Sequence, residues 1–291
     1  MVATTMKAFM TRSLRAPALY TIPTPTPTPS EILITVAFVS LNPTDHKHAS
    51  LSLPPSKIIG CDFSGTVTST PNPPCDLKKG DRVAGVIHGC KDSHTGGFAE
   101  YLTADPGMCF RVPAEVPLEE ACTLGVGWVS AAQTLQQRLF EGYKPSDGSD
   151  GKGMKGKDAL LVYSAASNTG MHTIQQARLL YPAIYIIAVA SSQHHPRMRA
   201  LGADACFDYH SASIERDVRA LGKRVTRAID CHSEGSSTVL CAGLMDEGSR
   251  IVRTLPPGMM RGQVPKGVRA DEWILSYTAL GKVLMHRSWT S

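Results

Sequence analysis

Apolar and polar positions follow two different rhythms along the chain. In the first part, short apolar runs are punctuated by glycine and proline. Residues 6–10 predict a first strand, and residues 31–39 predict a second that passes from alternating to wholly apolar. Between them, Pro23-Thr-Pro-Thr-Pro-Thr-Pro29 is a stiff extended stretch, suited to a spacer or to an extended ligand for another protein. Gly60-Cys-Asp-Phe-Ser-Gly65 then runs into a strand at residues 66–69. Gly60, Gly65, Gly80 and Gly85 suit bends and bulges. Short strands separated by such residues roughly every ten positions predict a mostly β domain.

The period changes at residues 117–140. Leu118, Ala121, Cys122 and Leu124 lie at helical spacing, Gly125-Val-Gly127 interrupts it, and a helix resumes over residues 128–139. Residues 141–157 are rich in Gly, Lys, Asp and Ser and predict an exposed loop. Strand and helix patterns alternate from there. Strands are expected at residues 160–163, 184–189, 227–230 and 249–253, with helices after residue 167, near 195, at 213–221 and at 236–245. That alternation predicts a doubly wound parallel sheet, giving an α/β chain of two domains, residues 1–140 and 158–291. Residues 273–285 form a mixed apolar run.

Composition adds bounds. With 291 residues, 42% of them hydrophobic, the chain has the material for two real cores. A net charge of +5 without a concentrated basic block excludes a nucleic-acid-binding arm. No window approaches the ~18 apolar residues of a membrane span, and the N-terminus has no apolar leader core. The eight cysteines are scattered with no C-x-x-C pair, which fits reduced thiols and a cytoplasmic protein.

The richest chemistry lies at residues 158–209. A buried strand, the small-residue turn Ser164-Ala-Ala-Ser-Asn-Thr-Gly170, a helix and a second strand place backbone N–H groups where a pyrophosphate could sit. The full glycine fingerprint is absent, and only Gly170 remains of it. NAD-preferring sites carry an acid about 20 residues past that turn to hold the ribose hydroxyls. Here the second strand ends in Ser191, Ser192, Gln193 and His194, followed by Arg197. These donors suit the 2′-phosphate of NADPH, which a carboxylate would repel. Ser191 and Ser192 equally suit the cap of the helix that follows.

Six segments in this order resemble the medium-chain dehydrogenase/reductase superfamily. They are Asn42-Pro-Thr-Asp-His-Lys47, Gly60-Cys-Asp-Phe-Ser-Gly65, Gly80-Asp-Arg-Val-Ala-Gly85, Gly97-Phe-Ala-Glu-Tyr101, Gly125-Val-Gly-Trp-Val-Ser130 and Phe207-Asp-Tyr-His210. Within it the chain most resembles the trans-acting enoyl reductases of fungal highly reducing polyketide synthases. The resemblance implies a GroES-like, mostly β N-terminal domain followed by a Rossmann-type domain. Where zinc-dependent members carry Gly-His-Glu, this chain has Gly60-Cys61-Asp62, and no third ligand at suitable spacing completes a zinc site. No metal is expected.

The same resemblance implies residue roles. Thr44, Asp45, His46 and Lys47 would contact NADPH near its nicotinamide. Lys47 would place a charge beside the substrate carbonyl or the phosphates, or stand solvated after a turn. Ser130, opening the helix after Gly-Val-Gly-Trp, would share the catalytic role with Lys47 and line the substrate pocket with Ala131, Ala132, Gln133 and Thr134. Ser167, Asn168, Thr169 and Gly170 would bind pyrophosphate, and Ser191, Ser192, Gln193 and His194 the 2′-phosphate. Tyr209 would stack on adenine, or simply end a strand. Leu255 and Pro256 would flank the nicotinamide, and Leu275, Ser276, Tyr277, Thr278 and Ala279 would line the substrate channel. The implied activity is NADPH-dependent reduction of an α,β-unsaturated acyl thioester carried by the acyl-carrier domain of a partner polyketide synthase, by a monomer. Reduction of free quinones or enones, or non-catalytic binding to the synthase, are the alternatives. Family members continue past residue 291, so the nucleotide domain is expected to be short of its last strands.

Overall fold

The computed structural model describes residues 2–12, 15–50, 55–71, 75–141 and 157–280. The chain forms two compact units that divide between Val126 and Gly127. The helical stretch past Gly127 therefore belongs with the second unit, where the sequence reading joined it to the first. The expected loop at 141–157 falls, apart from its two ends, outside the described residues.

In the first unit, β1 (Thr5–Arg12) and β2 (Arg15–Pro23) form an antiparallel hairpin. The sequence pattern showed only the first of these. Pro17 and Pro23 hide the second strand, since proline cannot donate to a ladder and is tolerated only at a sheet edge or strand end. A separate sheet contains β3 (Ile32–Ser40), β4 (Asp62–Ser69), β5 (Arg82–Val86), β6 (Tyr101–Ala104) and β7 (Cys109–Arg111) in the order β6-β3-β4-β5-β7, with all pairs antiparallel. Ile32, Ile34, Phe63, Val67, Val83 and Leu102 form its core.

β4 starts four residues earlier than predicted because Gly65 sits inside it rather than ending a bend. A Cβ there would meet the Thr35 carbonyl oxygen on β3, beside a register shift between Val36 and Phe38. Helix α1 (Pro43–Ser50) follows β3, and α2 (Leu118–Ala121) and α3 (Gly125–Ala132) follow β7. The glycines at 125 and 127 do not interrupt α3 as expected. They begin it, and the functional site shows why they must be glycine.

Among its described residues the second unit contains six strands: β8 (Asp158–Tyr163), β9 (Tyr185–Val189), β10 (Ala205–Phe207), β11 (Arg224–Asp230), β12 (Arg250–Arg253) and β13 (Arg269–Trp273). Helices α4 (Asn168–Leu180), α5 (His195–Ala200), α6 (Ile214–Arg219) and α7 (Ser237–Gly243) alternate with them. All pairs are parallel and the order is β10-β9-β8-β11-β12-β13, the doubly wound pattern in which ligands bind at the carboxyl ends of the strands. Leu160, Val162, Ile186 and Val252 pack on one face with Ile174 and Ala177 of α4. Leu161, Ile187, Val189 and Ile251 pack on the other with Cys241 and Ala242 of α7. Burial on both faces is why these strands read as apolar runs without alternation. β13, with the sequence Arg-Ala-Asp-Glu-Trp, gave no such signal, because an edge strand is buried less and tolerates charge. After α3 the chain continues as a wider π-type helix over Gln133–Leu139, closed by the Phe140 N–H on the Leu135 carbonyl, and Phe140 stacks on Tyr181 at 4.1 Å.

Candidate functional site

At the carboxyl end of β8, Ser164 takes a left-handed φ of 57° and turns the chain into α4. Ser167 caps that helix, its hydroxyl oxygen accepting the Gly170 N–H at 3.1 Å. Gly170 is buried because a Cβ would come within 2.7 Å of the Ala165 backbone and the Ser164 carbonyl. The turn is thus pulled tight against β8, with the first-turn N–H groups of Asn168 and Thr169 at the strand ends, where a helix N-terminus favours an anion. The turn expected to receive a pyrophosphate is therefore a tight helix start in which position 170 has no room for a Cβ.

Ser191, Ser192, Gln193 and His194 follow β9 and lie at the surface, Ser191 partly covered. Ser191 Oγ is 3.2 Å from Tyr209 OH, and Gln193 Nε2 is 3.3 Å from His194 Nε2. Tyr209 is 43% exposed, with His210 packed on its ring at 4.0 Å. The structure brings these residues together, and it adds an acid that the reading along the chain missed. Asp208, just past β10, accepts the Ser192 N–H on Oδ2 and both the N–H and the ring nitrogen of His210 on Oδ1, each at 2.9 Å. Hydrogen bonds from the His210 and Ser192 backbone hold its carboxyl down at about 2. The stretch after β9 has no acid of its own, but the neighbouring strand supplies one whose oxygens are already engaged.

In the first unit, α1 begins at Asn42-Pro43, with proline at the first helical position. Asp45 turns back to accept the Asn42 N–H at 2.8 Å, the reciprocal half of a capping box. The Asn42 side chain donates instead to Asp62 Oδ2 at 2.8 Å, while Asp62 Oδ1 accepts the Val126 N–H at 2.7 Å. A Cβ on Gly125 would strike Asp62 Oδ1, which is why residue 125 is glycine. Asp62 has no solvent exposure, and burial pushes its carboxyl up to about 7 against those two hydrogen bonds. Burial raises Asp45 as well. Of the four residues expected at the nicotinamide, Asp45 is thus turned inward, His46 is exposed, and Thr44 and Lys47 are partly covered. Cys61 and Asp62 are fully buried, and among the described residues no three His, Cys, Asp or Glu side chains are grouped to hold a metal ion.

Ser130 lies in the middle of α3 and is buried; it does not open the helix as expected, since the helix starts at Gly125. Ala131, Gln133 and Thr134 are buried and Ala132 partly so. The Gln133 amide donates to Thr278 Oγ1 at 2.9 Å. The two segments assigned to substrate therefore meet within the second unit, where Gln133, Gln137, Arg138, Trp273, Leu275 and Thr278 line a pocket of about 180 Å³. Ser276 and Ala279 are partly covered, as are Leu255 and Pro256 just past β12; the side chain of Tyr277 is outside the described residues. Gly127, also in this unit, lies where a Cβ would be 2.6 Å from Asn168 Nδ2, so the start of α3 fits tightly against the first turn of α4.

A GroES-like β unit followed by a doubly wound sheet defines a protein of the medium-chain dehydrogenase/reductase superfamily. Residues 28–114 match the alcohol dehydrogenase GroES-like domain. The trans-enoyl reductase tenC of Beauveria bassiana is 34% identical over 278 residues, covering 86% of this chain and 70% of that protein. The trans-enoyl reductase resD of Aspergillus sclerotiorum is 34% identical over 231 residues, covering 75% of this chain and 64% of that protein. Among solved structures, the quinone oxidoreductase from Coxiella burnetii superposes with a TM-score of 0.72 at 26% identity, covering 95% of this chain and 86% of that one. The chain belongs to the trans-enoyl reductase family of this superfamily.

Proposed function

We propose that the chain is an NADPH-dependent enoyl reductase that acts in trans on α,β-unsaturated acyl thioesters held by the acyl-carrier domain of a polyketide synthase. The observation that carries this reading is the tight turn at Ser167–Gly170, set at the carboxyl ends of β8 and β9 in a chain of this family. The residues present fit the cofactor. A Ser167-capped helix end receives the pyrophosphate, and hydroxyl, amide and imidazole donors at Ser191, Ser192, Gln193 and His194 receive the 2′-phosphate. Tyr209 offers an exposed ring face for adenine. Asp208 stays ionised and takes up the Ser192 N–H and the His210 ring, so the 2′-phosphate depends on the hydroxyl, amide and imidazole donors that remain to outweigh that charge.

Bound NADPH supplies a hydride to the β-carbon of the thioester, and the α-carbon takes up a proton. The chain's contribution is placement and charge. Within the second unit, Leu255 and Pro256 would pack the nicotinamide end, and the Ser130–Thr134 and Leu275–Ala279 segments would hold the acyl chain. In the first unit, Lys47 is the candidate for offsetting charge on the thioester oxygen. A cytoplasmic monomer suits such a partner. Among the described residues no helix is long and apolar enough to cross a membrane.

The test is co-incubation of the purified protein with a candidate synthase, NADPH and malonyl-CoA. A more saturated product in its presence, with matching NADPH oxidation, supports the reading. Absence of NADPH binding by fluorescence or calorimetry overturns it. The likeness to a quinone oxidoreductase favours a second reading, reduction of free quinones or enones. Turnover of a diffusible enone without any synthase would select it.

A further inference from the structure

Arg253 is the largest fully buried side chain among the described residues, and the cofactor reading makes no use of it. It ends β12 at the ligand-binding side of the sheet. Its neighbour Val252 packs on the α4 face, and strand alternation directs Arg253 to the opposite, α7 face. There Nη1 lies 4.0 Å from the Met260 sulfur, a weak acceptor. Nε and Nη2 have no hydrogen-bond partner. Those two nitrogens form one edge of the guanidinium, the kind of edge that grips a carboxylate or phosphate through two parallel bonds.

The acid opposite it in register is not the missing partner. Asp230 pairs with Arg253 across β11 and β12, yet its carboxylate is already saturated. Oδ1 accepts the N–H groups of His232 and Ser233 at 3.0 and 2.9 Å, and Oδ2 accepts the hydroxyls of Ser237 and Thr238 at 2.7 Å each. Burial pushes the Arg253 guanidinium below its usual range, and attraction from Asp230 and Asp271 only partly offsets it. A buried cation with a bare edge is costly unless an acceptor is supplied.

We infer that Arg253 is the receptor of an oxyanion site in the second unit, taking a carboxylate or phosphate group on its Nε and Nη2 edge. Segment 254–261 follows Arg253 and brings Met260 against its guanidinium. That segment is tied down by the Gly235 N–H on the Met259 carbonyl at 3.2 Å, the Arg261 N–H on the Gly235 carbonyl at 2.6 Å, and the Thr254 N–H on Ser233 Oγ at 2.9 Å. Gly262 closes it with a φ of 90°. The anion comes either from a phosphate of the dinucleotide or from a separate small acid. The site itself does not depend on the cofactor reading.

Thermal melting of the full chain in chloride buffer, titrated separately with inorganic phosphate, malonate and NADPH, tests the inference. The wild type is expected to show a saturable rise of about 3 °C or more with phosphate or malonate. R253M, which keeps the length without the charge, is expected to melt higher than wild type in the chloride buffer before any oxyanion is added and to give no response to phosphate or malonate. No response in the wild type, an equal response in R253M, or a lower melting point of R253M without anion would each overturn the site. If R253M does not fold, R253K replaces it, and an anion response as large as wild type's sinks the idea. Loss of the NADPH response together with the phosphate response assigns the anion to the dinucleotide, whereas NADPH binding retained in R253M assigns it to a separate acid. Failure of NADPH to bind either protein bears on the cofactor reading alone.

Discussion

Asp62 shows how much one buried group can decide. The sequence placed it where zinc-dependent relatives keep a ligand and, for want of a third ligand, read it as a structural carboxylate beside a buried Cys61 thiol, without naming its partners. In the fold it ties Asn42, at the start of α1, to Val126 in the first turn of α3 by direct hydrogen bonds. With its carboxyl raised to about 7, the folded state keeps a proton that the unfolded chain releases near its ordinary 3.8. Stability therefore falls as pH rises through that window and levels off above it. Asp62→Asn should flatten this slope, so the difference between wild type and variant in denaturant midpoints at pH 5 and pH 8 isolates the effect; identical slopes would show the carboxyl to be ordinary. Gly170 is the second decisive residue. Gly170→Ala pushes a methyl group into backbone atoms that cannot yield cheaply, so a loss of about 1–3 kcal/mol in stability is expected. NADPH affinity should drop with it, and unchanged affinity would show that the tight turn is not needed for binding.

At the scale of elements, the parallel strands were readable because burial on both faces leaves continuous apolar runs, and α4 because its cap, small turn and period agree. The edge strands were not: β2 carries prolines and β13 carries charge, both tolerated only where one side of the ladder is open. Helix α3 was misread at its start because Gly125 and Gly127 look like breakers, whereas they answer close approaches from Asp62 and Asn168 that no local pattern announces. Arg178 illustrates element-level bracing. From α4 it donates to the carbonyls of Gly202 and Pro182 and to the Asp204 carboxylate, pinning the helix to the turn before β10. A lysine cannot reach all three. Arg178→Lys should cost about 1–2 kcal/mol, the side chain being about a third exposed and its ion pair partly screened. Urea unfolding measures this, and a loss within error would make the brace redundant.

For the whole molecule, the cofactor reading makes a distributed prediction. NADPH at about 100 times its dissociation constant should stabilise the protein by about 2.7 kcal/mol. Hydrogen exchange should slow at the first turn of α4 and at residues 191–194, and a stabilisation without protection there would place the ligand elsewhere. By itself the sequence determined the two-part architecture, the parallel order of a dinucleotide-type domain and the family, since these rest on hydrophobic period, turn residues and motif order along the chain. It also named the segments of the candidate site, and Ser191 with Tyr209, and Gln133 with Thr278, do meet. Only the tertiary structure decided which side chains turn inward and what they find there. It brought Asp208 to Ser192, saturated Asp230 without Arg253, and closed Asp62 between two helix starts. Those outcomes depend on which strand ends lie side by side and on how far water is excluded, and neither is written in the spacing of residues along one chain.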